Sequence, residues 1–236
     1  MIKDLYTVAS SMLPKLTYQQ IVANNLANIN TPGFKRDGLF LETLIQAGIP
    51  PQGQQIGTIY TDFSPGPLLK TDRSLDLAID GNGFFTISTP DGEKYTRNGS
   101  FYRRPDGVLA TVGGDPVLGE NGIIVLPEGD PVVNKSGQIY VRGEYIGRLL
   151  ITDFPQPYQL VKSGSGLFVP QNRSNGGYPA QSATVRQGFL EGSNVKPVEE
   201  MVNMLISYRQ YQAAQRVIQT QDDALRKSVN EIGTVR

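Results

Sequence analysis

The sequence predicts an α+β protein in which N- and C-terminal helices pair as a coiled coil, with a central all-β domain and an extended connecting region between them. Three features of the 236-residue chain support this prediction. Apolar residues recur three and four positions apart at both ends, glycine-containing turn dipeptides crowd the middle, and a Gly/Pro/Gln-rich segment precedes them. The expected divisions are an N-terminal helix over 1–32, a connecting region over 33–72, a β-rich outer domain over 73–190 and a C-terminal helix over 191–236.

The N-terminal helix is predicted from a heptad series. The members of the series are Ile2, Leu5, Ala9, Met12, Leu16, Ala23 and Leu26, and Gln19 interrupts it. This spacing is typical of a helix that buries one stripe against another helix. Pro14 would remove a hydrogen bond from a helix interior, so the helix either kinks there or begins near Ser11. The run Asn30-Thr31-Pro32-Gly33 is expected to end it.

The C-terminal helix has clear start and stop signals. Pro197 suits a first helical position, and Glu199 and Glu200 place negative charge at the positive end of the helix dipole. One apolar stripe consists of Met201, Leu205, Tyr208, Tyr211, Ile218, Leu225, Val229 and Ile232, and a second consists of Val202, Ile206, Ala213, Val217 and Ala224. A helix that is apolar on two sides needs several neighbours, as in a core or a polymer. Gly233 is its predicted end, which gives about 35 residues and roughly 50 Å.

The middle of the chain reads as short antiparallel strands joined by tight turns. The turn signals are Gly81-Asn82-Gly83, Pro90-Asp91-Gly92, Asn98-Gly99, Pro105-Asp106-Gly107 and Gly113-Gly114. Such residues supply the positive φ angles of hairpins. Leu75, Leu77 and Ile79 alternate as in a half-buried strand. Further strands are expected at 123–126, 138–141 and 148–154. We expect 46–70 to be extended or irregular and 171–182 to form a surface loop.

Composition excludes several classes of function. Lys+Arg and Asp+Glu both number 22, so the basic field of a nucleic-acid binder is missing. The chain has neither cysteine nor histidine, which excludes disulfides, thiolate nucleophiles, Ser-His-Asp triads and His/Cys zinc sites. We therefore predict no catalytic, metal or cofactor site and no enzymatic activity. No run approaches the roughly 20 apolar residues of a membrane span. The N-terminus lacks the pattern of a cleavable signal peptide, so export would need another route.

Two other interpretations remain open at this point. Asp76, Asp80, Asp91 and Asp106 could supply the paired carboxylates of a hydrolase. Most of them stand beside glycine in turns, however, where aspartate bonds to its own backbone. The second interpretation is a secreted β-rich binding module, for example for a glycan, whose helical ends serve only in dimerisation.

Four sequence blocks carry a resemblance to a known family. The blocks are ANNLANINTPGFKR at 23–36, LDLAI at 75–79 with GFF at 83–85, YTRNGSF at 95–101, and GFLEGSNVKPVEEM at 188–201. In this order they resemble the flagellar axial proteins, the family of bacterial rod and hook subunits. The motif residues carried over are Asn24, Asn25, Leu26, Asn28, Thr31, Gly33, Phe34, Lys35, Ser193 and Asn194.

The resemblance implies a structural subunit of the basal-body rod, the part of the flagellum that spans the periplasm. Family members pair their terminal helices in an inner coiled-coil domain and carry a β-rich domain outside it. They leave the cell through the flagellar type III export apparatus without a cleaved signal, and they stack helically on copies of themselves and on other rod and hook proteins. The residues expected at subunit interfaces are Ile2, Leu5, Met12, Leu16, Ala23, Leu26, Met201, Val202, Leu205, Tyr208, Tyr211, Ile218, Leu225 and Val229.

Within the family, the run 190–198 favours the proximal rod subunit. The distal subunit carries a longer insertion in the connecting region than residues 46–66 provide here. Asp80–Phe85 is closer to the distal type, so the distal subunit is the alternative.

The N-terminal signature contains four asparagines within seven residues, at 24, 25, 28 and 30. Asparagine is a poor helix former, so these residues could simply weaken an exposed helix end. Alternatively their amides bond across subunits, with both donor and acceptor in use. The family resemblance favours the second interpretation.

Overall fold

The computed structural model describes residues 2–43, 55–172, 176–180 and 182–233 of the protein. Within these residues the chain forms two helices and nineteen strands. The helices are α1 (Ile2–Ala27) and α2 (Pro197–Gly233). The strands are β1 (Asp37–Thr43), β2 (Gln55–Thr61), β3 (Leu68–Lys70), β4 (Leu77–Asp80), β5 (Phe84–Thr89), β6 (Gly92–Thr96), β7 (Phe101–Arg103), β8 (Leu109–Thr111), β9 (Leu118–Gly119), β10 (Gly122–Ile123), β11 (Pro131–Val133), β12 (Gln138–Val141), β13 (Glu144–Arg148), β14 (Ile151–Asp153), β15 (Leu160–Lys162), β16 (Leu167–Pro170), β17 (Tyr178–Pro179), β18 (Thr184–Gln187) and β19 (Phe189–Glu191). The protein is therefore α+β with a β-rich central region, as the sequence predicts.

Both helices extend close to their predicted limits. α1 runs through Pro14 without a break in the helix, so the alternative start near Ser11 is wrong. It ends at Ala27, just before the predicted stop signal. α2 begins at Pro197 and ends at Gly233, as predicted, and its 37 residues correspond to about 55 Å at 1.5 Å per residue.

The chain divides into two compact units. The first unit contains both helices together with Asp37–Asp62, and the second contains Asn28–Arg36 and Phe63–Val195. In the first unit β1 and β2 form an antiparallel ribbon, in which Leu39 lies opposite Ile59. Part of the segment expected to be extended or irregular is therefore regular strand, and its residues 46–54 lie outside the described residues.

The second unit is built from antiparallel strand pairs. Its main sheet has six strands in the order β15-β16-β6-β5-β14-β17. A three-stranded sheet, β11-β12-β13, and the two-stranded pairs β7-β8, β9-β10, β4-β18 and β3-β19 complete it. The turn signals are confirmed at two hairpins, where Thr89 pairs with Gly92 and Arg103 pairs with Leu109. The loop predicted at 171–182 is described only in part, and it contains β17.

The predicted strands are confirmed unevenly. The segment 138–141 is β12, and 148–154 contains the end of β13 and all of β14. Of 123–126, only Ile123 belongs to a strand. The predicted alternation around Leu77 and Ile79 is wrong for Ala78, because all three side chains are buried.

Strand β5 separates two hydrophobic clusters. Successive side chains of a strand point to opposite faces, so the adjacent Phe84 and Phe85 belong to different clusters. The larger cluster includes Leu77, Ile79, Phe85, Ile87, Phe101, Leu109, Ile139, Leu149 and Val185. The smaller cluster is aromatic and consists of Phe84, Tyr95, Phe154, Leu160 and Phe168, with Phe63 and Tyr158 packed against it. The main sheet is thus covered on both faces around β5.

Candidate assembly surface and motif junction

The two halves of the family signature lie side by side in the second unit. The backbone N–H of Gly33 donates to the carbonyl of Glu191 at 2.6 Å. The N–H of Arg36 donates to Oδ1 of Asn194 at 2.7 Å, and the N–H of Asn194 donates to the carbonyl of Phe34 at 3.4 Å. We call residues 31–36 and 191–195, together with the side chains that bond to them, the motif junction.

Three buried charges lie at the centre of the motif junction. Lys35, Arg97 and Glu191 are 0%, 3% and 1% exposed. Nζ of Lys35 donates to Oε1 of Glu191 at 2.5 Å. Nη1 of Arg97 lies 3.4 Å from Oε2 of the same carboxylate. Because burial of an unpaired charge is strongly unfavourable, the two cations and the carboxylate depend on one another.

Backbone groups add hydrogen bonds to these charges. Lys35 Nζ also donates to the carbonyl of Ser64 at 2.7 Å, and the N–H of Gly66 donates to Glu191 Oε1 at 2.9 Å. Arg97 donates through Nη2 to the carbonyl of Gly81 at 2.8 Å. Charge-assisted hydrogen bonds of this kind are stronger than neutral ones and fix direction as well as distance. The charges therefore hold five separate parts of the chain together.

Lys162, at the end of β15, contacts the N-terminal segment of the motif junction. Its Nζ donates to the carbonyl of Lys35 at 2.6 Å. The same ammonium lies 4.1 Å from the centre of the Phe34 ring, within the range of a cation–π contact. The aromatic and the carbonyl of neighbouring signature residues are thus held by one side chain.

Gly33 fits the junction because it has no side chain. Its φ is +69°, a conformation that glycine adopts without the penalty of other residues. A Cβ at this position would lie 2.3 Å from the backbone nitrogen of Asn98. The Thr31–Gly33 turn approaches the β6–β7 connection closely, so a larger residue would push the two apart.

Asn25 makes a second, separate junction in the first unit. Its Nδ2 donates to the carbonyl of Asp37 at 2.9 Å, and its Oδ1 accepts the N–H of Asp37 at 3.0 Å. The side chain is buried and satisfies both backbone groups at the start of β1. The hypothesis that the signature amides bond across subunits is therefore wrong for Asn25, whose amide bonds within the chain. Asn28 also bonds locally, since its Oδ1 accepts the hydroxyl of Thr31 at 3.2 Å.

Residues of the two helices line a common groove in the first unit, which we call the helix groove. Its lining is mostly apolar: Leu16, Gln19, Gln20 and Ala23 of α1 and Met201, Met204, Leu205 and Tyr208 of α2. Met201 is 60% exposed and Leu205 is 50% exposed, which is high for large apolar side chains. Val202 and Ile206 are also about half exposed, at 49% and 48%. α2 thus presents apolar side chains to solvent from both predicted stripes.

The structure distributes the predicted interface residues over three classes. Leu16, Ala23, Met201, Val202, Leu205 and Tyr208 are exposed, and Met12, Leu26, Tyr211 and Ile218 are half-buried. The side chains of Ile2, Leu5, Leu225 and Val229 fall outside what the structure describes. On α1 the most deeply buried apolar residues are instead Ile21 and Val22. That the exposed set contacts other subunits stays a prediction.

Sequence reasoning did not single out Arg97, Lys162 or Glu191 as site residues. Arg97 and Glu191 lie within the signature blocks. A charged residue beside glycine and apolar residues in such a block is the one feature of the sequence that could have indicated a buried charge. Lys162 lies outside every block and carries no such signal. No cluster of acidic side chains that could hold a metal ion occurs among the described residues. Neither helix, over its described length, is apolar enough to cross a membrane.

The helical unit has an exposed apolar groove, and the β-rich unit contains a buried cluster of ion pairs. These features are typical of a structural subunit that assembles with other proteins. Three family models match the chain in order: "Flagella basal body rod protein" over residues 5–35, "Flagellar hook protein FlgE/F/G D1 domain" over 78–141, and "Flagellar basal body rod FlgEFG protein C-terminal" over 186–232. The chain belongs to the flagellar basal-body rod protein family.

Curated relatives match over nearly the whole chain. The FlgG of Buchnera aphidicola subsp. Baizongia pistaciae is 34% identical over 258 residues, covering 96% of this chain and 98% of that protein. The FlgG of Bacillus subtilis is 32% identical over 261 residues, with 98% and 99% covered. The FlgF of Caulobacter vibrioides is 32% identical over 242 residues, with 98% of each chain covered. All three are named flagellar basal-body rod proteins, so this chain is a structural rod subunit of the flagellar basal body.

Proposed function

We propose that this subunit polymerises helically through its terminal helices, paired as a coiled coil, and that the polymer transmits torque from the motor to the hook. The observation that carries the proposal is the exposed apolar surface of α2. Met201, Val202, Leu205 and Ile206 are each about half exposed or more. Burial of this apolar area against other helices lowers the free energy of the assembly.

Two different apolar surfaces on one helix suit an open polymer. The helix groove and the stripe that contains Val202 and Ile206 lie on different sides of α2, since these residues occupy different helix positions. When one surface of a subunit contacts a different surface of its neighbour, repeated contacts generate a helix or filament. In this proposal the β-rich unit adds lateral contacts, the partners are copies of the chain and other rod and hook proteins, and neither a cofactor nor catalysis is involved.

Substitutions on the stripe that contains Val202 and Ile206 test the proposal. We expect the double variant Val202→Gln and Ile206→Gln to fold normally, because both side chains are already exposed, and to abolish or shorten the rod. The matched control replaces the exposed Gln210 and Gln219 of the same helix by alanine. Motility and electron microscopy of isolated basal bodies are the measurements. Normal swimming of the glutamine variant would refute assembly through this stripe.

We further propose that the subunit occupies the proximal part of the rod, with the distal position as the alternative. The short connecting region over residues 46–66 supports this position. The alignments with two FlgG relatives extend over 258 and 261 positions, more than the length of this chain. This 236-residue chain thus lacks residues that the FlgG relatives contain. The proximal assignment rests on a short connecting region, and the absence of inserted residues agrees with it.

A clean gene deletion tests the position in the rod. We expect loss of motility and basal bodies whose rod ends before its distal part. A rod that lacks only its distal part would assign the distal position instead. Normal basal bodies would favour the β-rich binding module and reject the structural assignment of this chain.

We propose that export uses the flagellar type III apparatus without cleavage of the chain. Membership of the rod protein family supports this route, because the family resemblance implies export without a cleaved signal. The mass of the subunit purified from basal bodies would match the uncleaved chain. A mass that lacks the first 15 to 30 residues, the length of a secretory signal, would reject the proposal.

A further inference from the structure

We propose that Lys35, Arg97 and Glu191 form a latch that fastens the two signature segments to the β-rich unit and to each other, so that the segments dock and release as one. The inference concerns the second unit alone and does not depend on the proposed mode of polymerisation. Lys35 belongs to the N-terminal signature and Glu191 to the C-terminal one. Arg97 directly follows β6 and lies between them in the sequence.

The charges make docking of each segment conditional on the other. If residues 28–36 withdrew alone, the fully buried Glu191 would lose Lys35, its shortest ion-pair partner. If residues 189–195 withdrew alone, Lys35 and Arg97 would remain buried as two cations without their carboxylate. The first state leaves the buried carboxylate with the longer 3.4 Å contact to Arg97 as its ion pair, and the second leaves two buried cations without a carboxylate. Both states are unfavourable relative to the fully docked one. The favourable states are therefore the fully docked one and the fully released one.

Backbone hydrogen bonds also join the segments that the latch connects. The N–H of Gly33 and the carbonyl of Glu191 join the two signatures directly, and Gly192 donates its N–H to the carbonyl of Pro67 at 2.8 Å. Gly66 donates to the Glu191 carboxylate. Release of the latch therefore exposes amides in three separate parts of the chain at the same moment.

Hydrogen exchange of the full-length monomer, resolved by residue, tests this coupling. The reporters are the amides of Gly33, Gly66 and Gly192, and the references are Thr86 and Ser88, whose N–H groups donate to Leu150 and Pro116 in the core. Amides that open together exchange with one opening constant. We expect equal opening constants for the three reporters and a smaller one for the references.

Two substitutions separate a latch from an ordinary core contact. Lys35→Met removes one cation, and Glu191→Gln keeps the shape of the side chain while it removes the charge. Each should accelerate exchange at all three reporters by the same factor, about 100-fold or more. The combined variant should show less than the product of the two factors, because both substitutions break one interaction.

The control is Arg186→Gln, which removes the exposed ion pair between Arg186 and Asp80 in the same unit. Exposed pairs contribute little, so no reporter should change. Acceleration confined to the segment that carries the substitution would overturn the latch. Opening constants at the three reporters that equal those at Thr86 and Ser88 in the wild-type protein would also overturn it, since the segments would then be released only when the whole core unfolds. If Lys35→Met does not fold, the Glu191→Gln variant alone decides between these results.

Discussion

Replacement of Gly33 by alanine should detach the N-terminal signature from the β-rich unit. The left-handed conformation at φ +69° costs alanine about 1 kcal/mol more than glycine. The new Cβ would lie 2.3 Å from the nitrogen of Asn98, where an ordinary contact is about 3.5 Å, so the backbone must move by about 1 Å. Such a shift breaks the bond between Gly33 and Glu191, and a lost buried backbone bond adds about 1–3 kcal/mol. The expected total is about 2–4 kcal/mol.

Other glycines of the same unit separate the two causes. Gly147 meets nothing within 4 Å and has an ordinary φ, so its alanine variant should match the wild type within about 0.5 kcal/mol. Gly143 is equally open but has a φ of +83°, so its variant should lose only the conformational term of about 1 kcal/mol. At Gly99 the new Cβ would lie within van der Waals overlap of the Leu77 carbonyl without a positive φ, so that variant isolates the steric term.

Urea unfolding of the four alanine variants measures these differences. The chain has no tryptophan, so far-ultraviolet circular dichroism and tyrosine absorbance report the transition. The expected order of destabilisation places Gly147 lowest, Gly143 next, and Gly33 and Gly99 highest. If the Gly33 variant is no less stable than the Gly143 variant, the close approach to Asn98 carries no cost and the reasoning is refuted.

Three further predictions follow from other parts of the chain. Asn25→Ala leaves the backbone N–H and carbonyl of Asp37 without their buried partner, so the free energy of unfolding should fall by about 1–3 kcal/mol in a denaturant titration. The control is Gln20→Ala, since Gln20 is exposed. An equal loss of stability in both variants would contradict the role of the Asn25 amide. Burial, reinforced by its hydrogen bond to Asp153, raises the pKa of Tyr158 above 10. Stability from this group is thus present below pH 10 and falls as the pH rises through the raised value. A spectroscopic titration should show delayed phenolate formation that Tyr158→Phe removes, and a titration identical in both proteins would contradict it. Limited proteolysis of the monomer should digest both helices, because isolated helices are marginal in water. A core of about residues 63–195 should resist, with residues 28–36 bound to it through the motif junction; protease-resistant helices would contradict assembly through them.

Local patterns predicted the parts of the fold that local physics determines. The start of α2 at Pro197 and its end at Gly233 follow from backbone preferences of proline and glycine. The hairpins at Pro90-Asp91-Gly92 and Pro105-Asp106-Gly107 follow from turn geometry in the same way. Pro14 shows the limit of this reasoning, because the helix continues through a residue that disfavours it. Tertiary contacts outweigh a local penalty of about 3 kcal/mol when enough of the surrounding helix is held.

The motif junction could not be predicted from local patterns. Lys35 and Glu191 are 156 residues apart, and no periodicity relates two positions so distant in the sequence. The resemblance identified both blocks correctly, but it gave no indication that the blocks bond to each other. Asn25 illustrates the same point on a smaller scale. An amide in a family signature suggested contact with another subunit, and the structure uses it for Asp37 of the same chain.

The signature residues and the exposed apolar residues of α2 therefore have different roles. Signature residues such as Gly33, Lys35 and Asn194 are engaged within one subunit, through bonds that need both ends of the β-rich segment. The apolar residues Met201, Val202, Leu205 and Ile206 of α2, by contrast, are about half exposed, and our proposal assigns them to contacts with other chains. A substitution in the motif junction should therefore reduce the stability of the isolated monomer. A substitution at Val202 or Ile206 should leave that stability unchanged and appear only in the assembled rod.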